Sequence, residues 1–212
     1  MFWNIEPQWG EDMLYSLQIL FTDWQVMDFM TWFADAFVFV WPLMLVLLYI
    51  AGMLLKRREL KLGAVWIVCS AVFAAIVNII VQLFSTKERP DQILDLGFSK
   101  KEDLLLYDFL PQGSFPSDHA SVAFAIATAT LVWGVYRKKP LFVWLAVPLY
   151  IGALIMSIAR VWIGIHWPTD VLAGLVVGLF VGGVMCFGRG WVEKFVSWLV
   201  GIEEKIIDLF RR

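Results

Sequence analysis

Residues 37–55 read FVFVWPLMLVLLYIAGMLL and are followed at once by Lys56, Arg57 and Arg58. This uncharged run has the roughly 20 apolar residues that a helix needs to cross a bilayer core, and it extends backward past Asp35 to about Met30. Similar runs lie on its C-terminal side. Leu62–Phe84 is interrupted by strongly polar side chains only at Asn78 and Gln82. A polar stretch, Ser85–Asp118, separates it from His119–Tyr136, which ends at Arg137-Lys138-Lys139-Pro140. Leu141–Ile158 and Val171 to about Phe187 complete the set. The expected fold is an all-α integral membrane protein with about five transmembrane helices, built as one domain over residues 1–212.

Composition supports that reading. The 212 residues are 60% hydrophobic and 17% charged, with 12 Trp and 17 Phe, well outside the range of soluble domains. A net charge of −2 lacks the basic surface that nucleic-acid binding requires. Cys69 and Cys186 both sit in apolar runs, which offers neither a disulfide framework nor a cysteine zinc site.

Lysine and arginine placement sets an expected orientation. The first 55 residues carry Glu6, Glu11, Asp12, Asp23, Asp28 and Asp35 but no Lys or Arg. The clusters Lys56/Arg57/Arg58/Lys61 and Arg137/Lys138/Lys139 fall in loops on one side, together with Arg189, Lys194, Lys205, Arg211 and Arg212. Those loops and the C-terminus are expected in the cytoplasm, with the N-terminus outside. The acidic start has no basic leader region, which argues against a cleaved signal peptide. Two segments are too polar to cross and are expected to lie as amphipathic helices at the interface: Met13–Met27 and Trp191–Phe210.

Ionisable residues then gather in three patches, all on the expected outer face: Lys87-Glu88-Arg89-Pro90, Pro116-Ser117-Asp118-His119, and the turn from Arg160 to Asp170. Arg89 and Arg160 offer planar forks of donors suited to phosphate oxygens. Ser117 is placed to cap the third span, whose N-terminus is a ready anion site. His119 and His166 are the chain's two histidines. Asp170 follows His166 by four residues, so its carboxylate can reach one ring nitrogen and leave the other free to attack. Taken singly, an Arg-Pro or a Ser-Asp-His is more often structural, and Arg160 with His166 beside two tryptophans could be an interfacial belt. The coincidence of all of them favours phosphoryl transfer through a phosphohistidine. Zinc is disfavoured, because two arginines in the same site oppose a dication; no cofactor is expected.

As a set, Arg89-Pro90, the Pro-Ser-Asp-His of 116–119 and the Arg-x5-His-x3-Asp of 160–170 resemble the three motifs of the type 2 phosphatidic acid phosphatase superfamily. RVWIGIHWPTDVLAG, residues 160–174, is the most specific part. The resemblance spans about Leu62–Phe187, taken as the catalytic core. It implies a metal-independent lipid phosphatase in which His166 is the nucleophile, Asp170 its orienting partner and His119 the general acid. Arg89, Arg160 and Ser117 would hold the phosphate. Two positions depart from the family pattern. Gln82 stands where a lysine is usual, and Ala159 where a serine precedes the arginine. Gln82 and Lys87 are therefore assigned as further phosphate ligands.

The expected substrate is a membrane lipid phosphate, with undecaprenyl diphosphate first and phosphatidylglycerophosphate, phosphatidate or lipid A as alternatives. Lys87, Lys100 and Lys101 are the cations available for a second phosphate. A non-catalytic transporter or lipid-binding protein is the competing class, but it predicts ionisable groups within the spans, where Asp35 is the main one.

Overall fold

The computed structural model describes residues 5–20, 24–96, 104, 113–187 and 189–210. Lys100 and Lys101 lie outside them, as do residues 97–103 and 105–112 of the polar stretch between the second and third spans. Among the described residues all regular structure is helical: α1 (Gln8–Leu20), α2 (Trp24–Leu54), α3 (Arg58–Gln82), α4 (Pro90–Ile93), α5 (Asp118–Tyr136), α6 (Pro140–Ile163), α7 (Pro168–Phe187) and α8 (Arg189–Phe210).

Helices α3, α5, α6 and α7 are each long and apolar enough to cross a bilayer, and the two parts of α2 pass the same test when counted together as one broken span. Val26–Ala36 and Phe39–Leu54 meet at 50°. Pro42, inside α2, accounts for the bend, since it removes the N–H that the main-chain carbonyl of Val38 would accept and its ring presses on that carbonyl. The chain is an integral membrane protein, and its surface is inverted relative to a soluble one. Leu43, Leu47, Ile79, Trp144, Val176 and Phe180 all point outward.

Helix α5 is the axis, packed against α3, α6 and α7. Apolar helices gain little by hiding from lipid, so their association depends on close contact and hydrogen bonds. Both are present. Gly174, Gly178 and Gly182 form a seam along α7 facing α5. A Cβ at Gly178 would stand 2.6 Å from Phe124 Cβ and 2.8 Å from Ala125 N, and one at Gly182 2.4 Å from Thr128 Cβ. The bare backbone is what lets the two helices touch. Across α3 and α5, Ser121 Oγ donates to Asn78 Oδ1 at 2.6 Å.

Several boundaries differ from the sequence reading, α3 beginning at Arg58 and α7 at Pro168 among them. The fourth span continues five residues past Ile158 to Ile163, so Arg160 sits on the last turn of α6 rather than in the following loop. Its charge is paired, which removes the reason to stop. Gly164 ends the helix instead, at φ 87°, a conformation that glycine adopts without cost. The segment 13–27 is not one helix: α1 ends at Leu20 and α2 begins at Trp24. Gly10, Leu14 and Gln18, spaced by four, are the buried stripe of α1, with Leu14 against Val161 and Trp167. Finally, α8 starts at Arg189, two residues early. It buries Val196 and Val200 in the main core, and Glu203 and Glu204 hold Lys61 at 2.7 and 3.0 Å. Arg137 pairs with Glu193 of the same helix at 2.6 Å. The basic clusters therefore share one end of the bundle, and the three motif patches occupy the other.

Candidate active site

The scaffold of the site is a set of cross-links between short segments. Pro90 opens α4, and Arg89 N donates to Gln92 Oε1 at 3.1 Å, which turns the chain sharply after the loop from α3. The Arg89 side chain donates from Nη1 to Ile165 O at 2.7 Å and from Nη2 to Gly113 O at 3.2 Å. It thereby joins the third patch to the segment just before the second while lying almost wholly buried. Asp91 N donates to Gly164 O at 2.9 Å, which fixes the start of the His166 turn.

Ser117 caps α5 as expected, its Oγ accepting from Ala120 N at 3.5 Å. Its own N–H donates to Asp170 O at 3.1 Å, which locks the head of α5 to the head of α7. Gln82 and Asn78 both donate to Pro116 O, at 3.3 and 3.2 Å, and Asn78 Nδ2 also donates to the Asp118 carboxylate. The structure thus places Gln82 as a brace on the Pro-Ser-Asp-His turn, with its amide on a carbonyl.

His166 is buried, and its Nδ1 lies 2.9 Å from Ser114 O. A carbonyl can only accept, so Nδ1 carries the proton and the Nε2 lone pair is left for chemistry. Burial, followed by the nearby Arg89 and Arg160 cations, pushes the His166 pKa well below the usual imidazole value. That shift favours the neutral ring. Asp170 is less direct than expected. Its Oδ2 stands 3.7 Å from Nδ1, too far for a hydrogen bond, and accepts instead from Trp167 N at 2.8 Å. The short partner of Nδ1 is the Ser114 carbonyl, with the carboxylate behind it.

Arg160 is fully buried. Its Nη1 donates to Ala34 O at 3.0 Å and to Asp35 Oδ1 at 3.1 Å. Its Nε and Nη2 are buried without a partner among the described residues, and so is Nε2 of His119. His119 feels Arg160, His166 and Arg89 electrostatically. Buried polar atoms are nearly always paired, and these three are among the exceptions.

Lys87 is where the structure departs most from the sequence reading. Its Nζ donates to Glu6 Oε2 at 2.6 Å, Thr169 Oγ1 at 2.6 Å and Asp170 Oδ1 at 2.8 Å. An ammonium has three hydrogens, and all are committed. Neither a phosphate nor the second phosphate of a diphosphate finds a donor there. Sequence reasoning also missed four contributors. Asp35 was visible as a charge in a span, the usual mark of a functional group. Ser114 acts through its main chain and has no sequence signature. Glu6 and Asn78 carry no motif.

A membrane-embedded helical bundle with two buried arginines and a buried histidine gathered at one end is the class of protein these features define. Residues 60–191 match the model of the PAP2 superfamily, and the chain belongs to that family of phosphatases. It is 27% identical over 183 residues to the undecaprenyl-diphosphatase BcrC of Bacillus subtilis, covering 86% of this chain and 83% of that one. The undecaprenyl-diphosphatase of Sulfolobus acidocaldarius is 26% identical over 70% of this chain and 66% of its own. The crystal structure of a transmembrane PAP2-type phosphatidylglycerolphosphate phosphatase from Bacillus subtilis superposes with a TM-score of 0.58 at 22% identity, covering 87% of this chain and 85% of that one. That likeness is one of fold.

Proposed function

We propose that this phosphatase hydrolyses a terminal phosphate from a membrane lipid through a phosphohistidine on His166. The observation that carries the reading is His166, held through Nδ1 on the Ser114 carbonyl, in one electrostatic cluster with Arg160 and His119; the Nε and Nη2 of Arg160 and the Nε2 of His119 are buried without a partner among the described residues. In the first step Nε2 of His166 attacks phosphorus and the ester or anhydride oxygen leaves with a proton from His119. In the second, water takes the place of that oxygen, His119 accepts its proton, and the N–P bond breaks to release phosphate. Arg160 and Arg89 offset the charge that develops on the phosphoryl oxygens.

An apolar groove supports a lipid substrate. It encloses about 640 Å³ between α2, α3 and α5, is lined by residues such as Leu45, Val46, Val68, Val72 and Ile126, and reaches Asp118 and His119. A tail held there keeps its headgroup at the reacting nitrogen. Undecaprenyl diphosphate is the favoured substrate, on the strength of relatives that bear its name, the two above among them. Phosphatidylglycerophosphate is the second reading, and it rests on the fold neighbour alone. The acidic, lysine-free N-terminal region supports a site on the outer face of the membrane, with α8 in the cytoplasm.

Purified protein should release phosphate from undecaprenyl diphosphate faster than from phosphatidylglycerophosphate or phosphatidate in the same detergent. It should resist EDTA and be inhibited by vanadate. His166→Ala should abolish turnover. Full activity in that variant would overturn the mechanism, and a preference for phosphatidylglycerophosphate would move the assignment to the second substrate. For orientation, Asn4→Cys should react with an impermeant thiol reagent in intact cells while Lys138→Cys stays protected; the reverse pattern would place the site inside.

A further inference from the structure

The Lys87 ammonium is almost wholly buried. Two carboxylates and a hydroxyl take its hydrogens, and the rings of Phe115 and Trp167 lie 5.7 and 5.8 Å from Nζ. Beyond it stands Asp170, whose second oxygen takes the Trp167 N–H and faces the protonated Nδ1 side of His166. Lys87 is therefore behind the imidazole, on the side away from the attacking Nε2.

Glu6 is equally built in. Its side chain is 3% exposed in the ion pair, although it comes from the segment before α1, far away in sequence. A Cβ added to Gly10 would fall 1.8 Å from Glu6 Oε1. Only glycine leaves room for the carboxylate under the first turn of α1. That helix is itself fastened by Gln18 Nε2 donating to Trp162 O at 3.3 Å and by Leu14 on Val161 and Trp167. A buried carboxylate needs a cation to remain charged, and Lys87 serves two of them at once.

We propose that Lys87 is a positioning residue, gripped by Glu6, that fixes the Asp170 carboxylate and through it the His166 ring, so that the segment preceding α1 is a working part of the site. This rests on the functional reading above, because it assumes that His166 is the group that must be held.

The test separates a group that acts through another from one that binds substrate. Steady-state kinetics are measured on undecaprenyl diphosphate for wild type, Lys87→Met, Lys87→Arg, Glu6→Ala and the double variant Glu6→Ala/Lys87→Met. Lys87→Met should lower kcat by roughly 10–100-fold, the range for outer partners of a working imidazole, with KM within about threefold. Glu6→Ala should lower kcat less, again at constant KM, and Lys87→Arg should recover part of the loss. If Glu6 acts through Lys87, the double variant should be no slower than Lys87→Met within about twofold. Vanadate affinity, read by calorimetry without turnover, should stay within about threefold of wild type in Lys87→Met, since a group behind the ring is no oxyanion ligand. A large rise in KM or loss of vanadate binding in Lys87→Met would make Lys87 a phosphate ligand and overturn the proposal. So would a Glu6→Ala protein indistinguishable from wild type. If Lys87→Met does not fold, Glu6→Ala and Lys87→Arg still decide, because a constant KM with reduced kcat is expected of both. A wild type that neither hydrolyses the lipid nor binds vanadate would sink the functional reading itself, and this inference with it.

Discussion

Asp35 of α2 holds Arg160 of α6, Oδ1 to Nη1 at 3.1 Å, with both side chains almost completely shielded from solvent. The pair joins two spans and leaves the guanidinium's Nε and Nη2 without a partner among the described residues. Removing one member of a buried ion pair strands the other charge and costs about 3–5 kcal/mol. Asp35→Ala should therefore lower the melting temperature in detergent and raise KM, because Arg160 loses its anchor. Asp35→Asn keeps an acceptor and should lie between. An Asp35→Ala protein with wild-type stability and KM would remove Asp35 from the site.

A second expectation concerns pH. The folded-state pKa of His166 is depressed, chiefly by burial. Between the unfolded imidazole value of about 6.5 and the lower folded value, the unfolded chain binds a proton that the native one refuses. Stability from this group is thus fully present above about pH 6.5 and is lost as pH falls below it. Wild type should lose melting temperature on acidification from pH 7 to 5, and His166→Gln should lose less. Parallel curves for the two proteins would refute this.

The glycine seam supplies a third test with its own control. Gly178→Val should force α7 away from Phe124 and Ala125, at a cost typical of overpacking, about 1–3 kcal/mol. Because Ser117 N is bonded to Asp170 O at the head of the same pair of helices, activity should fall with it. Gly183 has nothing within 4 Å of an added Cβ, so Gly183→Val should be nearly silent in a melting experiment. Equal effects at both positions would mean that helix propensity, rather than contact, is being read.

The groove gives a fourth. Val68→Trp should obstruct it and raise KM for a long-chain lipid phosphate far more than for a soluble phosphate ester. The paired measurement distinguishes a blocked tail from a damaged site. Equal losses on both substrates would refute the tail assignment.

The spans were legible because transmembrane helices announce themselves by length and apolarity, with no need to know their partners. The histidine turn was legible because its residues are close in sequence. Arg160 misled at a boundary: read alone, a charge ends a span, whereas paired with Asp35 it prolongs one. Lys87 misled in role, since an unpaired lysine beside a motif arginine resembles a phosphate ligand until Glu6 and Asp170 are seen around it. Ser114 was invisible because a carbonyl belongs to every residue. Gly174, Gly178 and Gly182 stood in plain view at a spacing of four, but a seam has meaning only when its opposite helix is known.

The groove between α2, α3 and α5 lies open along the flank of the bundle, bordered by outward-facing Val46, Ile50, Val68 and Val72. A substrate that enters there travels in two dimensions, so the enzyme senses its mole fraction in the surface rather than its molarity in the tube. Adding empty micelles at fixed substrate should slow the reaction by dilution within the surface alone. Amphiphiles with slim tails should act as competitors, and the choice of solubilising agent becomes one of the kinetic variables.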